Sequence, residues 1–222
     1  MKIQWKTALL ACVLVTGQVW AEENVQVSGF LGDYSQLKPA TDRPGVMLYI
    51  DKSGDYHNSN KILFDPVEVV LAPNPDYKGV QPDTLKRMAD AFASAFNNAL
   101  QPDYQVTTTP GPDVLRVRLA ITGVQPAKTE LSAADFIPLK AIFNAARSAA
   151  GEAPRVAEMT AEIEVLDASG KRIAAATATR KGDKTLAQGD KVTWKEMEPI
   201  VKHWAAGFRQ RLDELRGVAV KH

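Results

Sequence analysis

Glu162 and Glu164 stand two residues apart in VAEMTAEIEVL (156–166), and that spacing on a strand sets two carboxylates side by side on one face. Paired carboxylates are the working groups of glycoside hydrolysis, so the pair is the first place to look for chemistry. Arg116 and Arg118 repeat the spacing in VLRVRLAITGV (114–124). If the two strands are neighbours, the four charges form cross-strand ion pairs on a solvent-facing surface, each pair contributing about 0.2–1 kcal/mol. We read them as such a patch rather than as a catalytic dyad.

The other reactive side chains are sparse. Cys12 is the one cysteine, and the histidines are His57, His203 and His222. Beyond residue 21 the chain has no cysteine, which excludes a structural zinc site of Cys/His type. His57 lies near Asp51 and Asp55 in DKSGDYHN, an oxygen-rich stretch. It lacks the closing acidic residue of a calcium loop and its glycine falls too early, so it reads as a polar turn. His203 has no Ser or Asp at helical spacing and reads as a helix flank rather than a base. No G-x-S-x-G occurs, and GDKTLAQGDK (182–191) lacks the Gly-Lys-Ser/Thr order of a phosphate loop. Trp194 and Trp204 fall on one helical stripe and read as core rather than as a ligand platform. The expected catalytic, cofactor and metal sites are therefore none.

The first 21 residues carry Lys2 and Lys6, an apolar run from Thr7 to Thr16, and Val19-Trp20-Ala21 before Glu22. This is the order of a secretory leader cleaved after Ala21, and its apolar run is shorter than the roughly 20 residues of a membrane span. The alternative uses Leu9-Leu10-Ala11 before Cys12 as a lipidation site, giving an outer-membrane lipoprotein instead of a free periplasmic protein. The leader holds two lysines and no acid, so the remaining 201 residues have 25 basic and 26 acidic side chains, net −1. With no basic excess and no Lys/Arg run, nucleic acid is not an expected partner. Without disulfides, stability must come from a core.

The elements that position these residues follow from periodicity. Residues 22–43 are irregular, punctuated by Gly29, Gly32 and Pro39, yet Phe30, Leu31, Tyr34 and Leu37 are apolar enough to lie across a core. VMLYID (46–51) and KILFDPVEVVLAP (61–73) read as strands, with Pro66 forcing an edge or a bulge. In QPDTLKRMADAFASAFNNALQ, apolar residues from Leu85 to Ala99 recur three and four apart. That is a helix with Asp83 or Thr84 as cap and Pro102 as stop. YQVTTT (104–109) and VLRVRLAITGV read as strands joined at Pro110-Gly111-Pro112. A short helix is expected within 132–150, then a hairpin through DASG (167–170) into KRIAAATATRK. The last helix carries Trp194, Met197, Val201, Trp204, Phe208, Leu212 and Leu215 on one stripe, with Pro199 either kinking it or marking its start. The fold class is α+β: an antiparallel or mixed sheet of five to six strands, packed on one face by two long amphipathic helices, plus one short helix. The expected single domain spans 44–218.

SGFLGDYSQLKP, ILFDPVEV, AEIEVLDASGKRIAAATATRKGDK and WKEMEPIVKHWAAGFRQRLDEL together resemble, in order, the segments of the DUF3313 family. The resemblance implies a bacterial envelope protein of a family without assigned function, whose members are often lipoproteins. It implies no catalytic residue. The expected role is non-enzymatic, binding an envelope protein or another envelope component. The alternatives are a hydrolase with a non-contiguous acidic site and a carrier of a small apolar ligand held between sheet and helices. Converging Asp, Glu and His in a deep pocket would mark the hydrolase, an apolar cavity the carrier, and a filled core with a flat exposed patch the adaptor. Phe136, Ile137, Leu139, Ile142 and Phe143 form the candidate partner patch, because this short segment is apolar on more than one side. The intact mass of the exported protein is expected to match a chain starting at Glu22; an acylated Cys12 would assign the lipoprotein form instead.

Overall fold

A computed structural model describes residues 27–70, 82–128, 155–186 and 192–218. In chain order the elements are β1 (Lys38–Pro39), β2 (Val46–Ile50), β3 (Lys61–Phe64), β4 (Glu68–Val69), α1 (Pro82–Leu100), β5 (Gln105–Val106), β6 (Val114–Lys128), β7 (Arg155–Leu166), β8 (Arg172–Leu186) and α2 (Trp194–Arg216). The fold is α+β, but its sheet has eight strands rather than five or six, in the order β1-β2-β8-β7-β6-β3-β5, with β4 also on β6. The difference comes from the two-residue β1, too short to register as a periodic run, and from the 61–73 stretch, which divides into β3 and β4.

The sheet is mixed. β1, β2, β8, β7 and β6 pair antiparallel, whereas β3 runs parallel to both β5 and β6, and β4 parallel to β6. β5 and β6 therefore do not pair with each other; β3 lies between them. Pro66 separates β3 from β4, since it can offer no amide to β6, and pairing resumes at Glu68. The β7–β8 hairpin closes where Asp167 Oδ1 accepts the amides of Ser169 at 2.9 Å and Lys171 at 3.0 Å, with Gly170 at φ 82°.

One face of the sheet carries the main core. Leu115, Val117, Leu119 and Ile121 of β6 and Met159, Ala161 and Val165 of β7 meet Met88, Phe92, Phe96 and Leu100 of α1 and Met197, Ile200, Val201, Ala205 and Leu212 of α2. α1 begins at Pro82, so Asp83 and Thr84 fall inside its first turn instead of capping it. α2 is capped at Thr193, whose amide donates to Glu196 Oε2 at 3.0 Å, and runs through Pro199 to a left-handed Gly217.

The opposite face is covered as well. Phe30 and Leu31 pack on Ala120 and Ala175, flanked by Tyr34, Leu37, Tyr49 and Val70. That cover corrects the expectation of a solvent-facing charge patch: Glu162 and Glu164 are each only 4% exposed. Lys171 Nζ reaches from the hairpin to Asp51 Oδ2 at 2.7 Å, just past the end of β2. That ammonium, with Ser53, holds the Asp51 carboxyl down at about 2. A carboxylate depressed below its unfolded value supports the fold above about pH 4 and stops doing so as it is protonated. The melting-temperature difference between the wild-type protein and Asp51→Asn is expected to be constant above pH 5 and to vanish between about pH 4 and pH 2.

Candidate functional site

The inward side of β8 is built from alanines. Its register aligns three rows across the sheet: Val46–Ala178–Ala161, Leu48–Ala176–Ile163 and Ile50–Ala174–Val165. An alanine on the middle strand of each row is too short to reach the helix above. α2 is also small at this level, with Ala206 and Gly207, and a side chain built at Gly207 would meet only Arg43 Nη1. Short residues on both walls leave a cleft of about 530 Å³ between α2 and the β2–β8–β7 end of the sheet. Close-packed interiors do not ordinarily keep voids of this size.

The remaining wall is aromatic. Phe92 stacks on Phe96 at 5.0 Å between centroids, Phe92 meets Trp204 at 6.5 Å, and Phe96 meets Phe208 at 5.7 Å. Leu119 and Tyr56 close the deep end, the Tyr56 hydroxyl donating to the Ile173 carbonyl at 2.6 Å, so its polar tip is satisfied away from the cavity. Trp194 packs on the core, as its place on the stripe suggests, but Trp204 also walls the cleft.

The rim is cationic. Arg43 Nη1 donates to the Gly207 carbonyl at 3.1 Å, and Arg211 Nη2 binds Asp42 Oδ2 at 2.6 Å. Arg180 Nη1 sits 3.5 Å from His203 Nε2. Partial burial, then the charges of Arg180 and Arg43, push the His203 imidazole below its usual value against the weaker pull of Asp183. His203 is thus neutral at pH 7 and serves the rim as a neutral acceptor for Arg180.

The residues singled out in the sequence are used elsewhere. Glu164 takes Arg118 Nη1 and Arg172 Nε, each at 2.5 Å, and Glu162 accepts the Tyr34 hydroxyl at 2.8 Å. Arg116 binds Asp65, with Nη2 at 2.8 Å, rather than a glutamate of β7, because its register partner is Leu166. The acidic pair therefore anchors residues 28–34 over the sheet and is not free for catalysis. Asp51 and Asp55 are occupied by Ser53, Lys171 and Asn58, and among the described residues no group of three His, Cys, Asp or Glu could hold a metal ion. Phe136, Ile137, Leu139, Ile142 and Phe143 lie outside the described residues. The cleft itself had one sequence signal, the alternating Ala174, Ala176 and Ala178 where the neighbouring strands carry Val, Leu and Ile.

The chain belongs to DUF3313, described as proteins of unknown function, with the match running over residues 26–208. It is 28% identical over 144 residues to the uncharacterized lipoprotein YdcL of Escherichia coli (strain K12), a stretch that is 64% of this chain and 64% of that relative. Among solved structures it is similar to XCC0632 of Xanthomonas campestris, at 12% identity over 71% of this chain and 84% of that one, with a TM-score of 0.40. It is also similar to the PelC dodecamer of Paraburkholderia phytofirmans, at 10% identity over 78% and 98%, with a TM-score of 0.38. Among the described residues no helix is long and apolar enough to cross a membrane.

Removing the charge of Glu164 would take from Arg172 its carboxylate partner under the N-terminal cover and leave Arg118 only the longer pairs with Asp65 and Glu68. Glu164→Gln is expected to cost about 3 kcal/mol in denaturant unfolding and to expose residues 28–37 to protease before the rest of the chain.

Proposed function

We propose that this protein is an exported envelope component that binds an apolar ligand without transforming it, holding the ligand in the cleft between α2 and β8. The observation that carries this reading is the cleft itself: about 530 Å³, floored by β-sheet alanines and walled by Phe92, Phe96, Trp204 and Phe208. That volume is in the range of small-molecule sites, which are mostly apolar with a few polar groups at the edge. The lipoprotein relative supports placement in the envelope, where acyl chains are abundant. A hydrolytic role gains no support from Glu162 and Glu164, whose oxygens are committed to Tyr34, Arg118 and Arg172. Each buried methylene would contribute about 0.8 kcal/mol, so a dozen give about 10 kcal/mol before the association cost of at least about 4 kcal/mol. The expected affinity is moderate, as suits a ligand that must be released.

Filling the cleft tests this. Ala176→Leu is expected to weaken binding of the neutral fluorophore N-phenyl-1-naphthylamine at least tenfold while leaving the melting temperature equal or higher, because the added side chain occupies existing space. Unaltered probe binding in a folded Ala176→Leu protein would overturn the proposal.

A further inference from the structure

We infer that the occupant of the cleft is a single-chain acid, an amphiphile whose anionic head is received at the rim by Arg180 and Arg43 while its tail lies along the alanine rows. This rests on the cleft being the ligand site.

Three observations carry it. Arg180 is two residues beyond Ala178 on β8, so it projects from the same face and stands where the alanine row ends. Among the described residues no carboxylate pairs with it; its polar neighbour is His203 Nε2. Arg43 approaches from the other side, using Nη1 on the Gly207 carbonyl, while the nearby Asp42 carboxylate is drawn to Arg211 at 2.6 Å and lies 3.7 Å from Arg43 Nε. Arg180 thus meets an imidazole at the mouth of an apolar cavity that Arg43 also lines, and the charges of both arginines bear on His203. A partly buried guanidinium without a carboxylate is costly unless an anion meets it, and its fork geometry suits a carboxylate or phosphate. An uncharged lipid would fill the tail site and leave that rim unmatched.

Displacement of N-phenyl-1-naphthylamine by dodecanoate, dodecyl phosphate and dodecanol tests the head group at fixed tail length. Either acid is expected to compete at least tenfold better than the alcohol, and which acid is stronger distinguishes a fatty-acid head from a phospholipid-type head. Arg180→Gln is expected to erase that preference, so that acid and alcohol displace the fluorophore equally well from that variant. In proton NMR of the wild-type protein, the His203 imidazole should titrate at higher pH with the acid bound, and should not move with dodecanol, since a bound anion offsets Arg180 and Arg43. Equal competition by acid and alcohol, or a preference that survives Arg180→Gln, would overturn the acid subsite and leave the apolar cleft standing. Failure of the fluorophore and of all three competitors to bind the wild-type protein would overturn both readings.

Discussion

A carboxylate taken out of water needs partners, and of the two buried glutamates of β7 it is Glu164 that is matched by cations. It lies mid-sheet on β7, with Arg118 of β6 directly opposite on one side and Arg172 reaching it diagonally from β8 on the other, both at 2.5 Å. The two arginines then carry the pairing outward. Arg172 donates to the carbonyls of Leu31 and Asp33, and Arg118 lies over the Phe30 ring at 4.7 Å. One buried charge thereby ties three strands to the segment that covers them. With the acid paired, the short run around Phe30 and Leu31 can do on this face what two helices do on the other.

The helix layer is fixed by a second polar knot, and its position explains the cleft. Asp213 near the end of α2 receives the Tyr104 hydroxyl at 2.6 Å and Arg209 Nε at 2.8 Å. Arg209 also reaches Asp103 and the carbonyls of Ala99 and Leu100 in the last turn of α1. The C-terminal half of α2 is therefore held against α1. It is not drawn down onto β8, where three alanines offer little to pack on. The gap follows from two separate causes: a helix held elsewhere, and side chains too short to follow it.

Much of the core was legible because it is periodic. The alternation in β6 and β7 and the stripes of both helices set which residues face the core, and Met88, Phe92, Met197 and Val201 sit where that spacing places them. Strand direction was not legible, since KILF pairs equally well either way and β3 is placed by pairings at both of its edges. Nor was the burial of Glu162 and Glu164. Alternation reports two faces, and an acid on the second face reads as wet unless one knows that Phe30 and Leu31 fold over it. The cleft was hardest to see because it is made by missing volume. Ala174, Ala176 and Ala178 satisfy a strand pattern, and only the three-row register shows that they line up in the middle of the cleft floor.

The alanine-rich strand also raises a register problem. A one-residue slip of β8 would turn Thr177 and Thr179 toward the helices and the alanines toward Phe30, and alanine side chains would resist that slip only weakly. The strand is pinned at several points along its length instead. At its start, Lys171 binds Asp51 and Arg172 binds Glu164. Farther along, Thr179 meets the Thr160 hydroxyl at 3.1 Å, and its amide donates to the Gly45 carbonyl at 2.9 Å. At Gly45 any Cβ would stand 2.6 Å from the Thr179 carbonyl oxygen, and the backbone has φ 75°, so only glycine lets the start of β2 come this close. The polar pins and that close approach keep Ala174, Ala176 and Ala178 facing inward. Ala175, on the opposite face, meanwhile keeps its contact with Phe30 and Leu31. The cleft and the N-terminal cover are thus opposite faces of one strand in one register, and neither can be lost by slippage without the other.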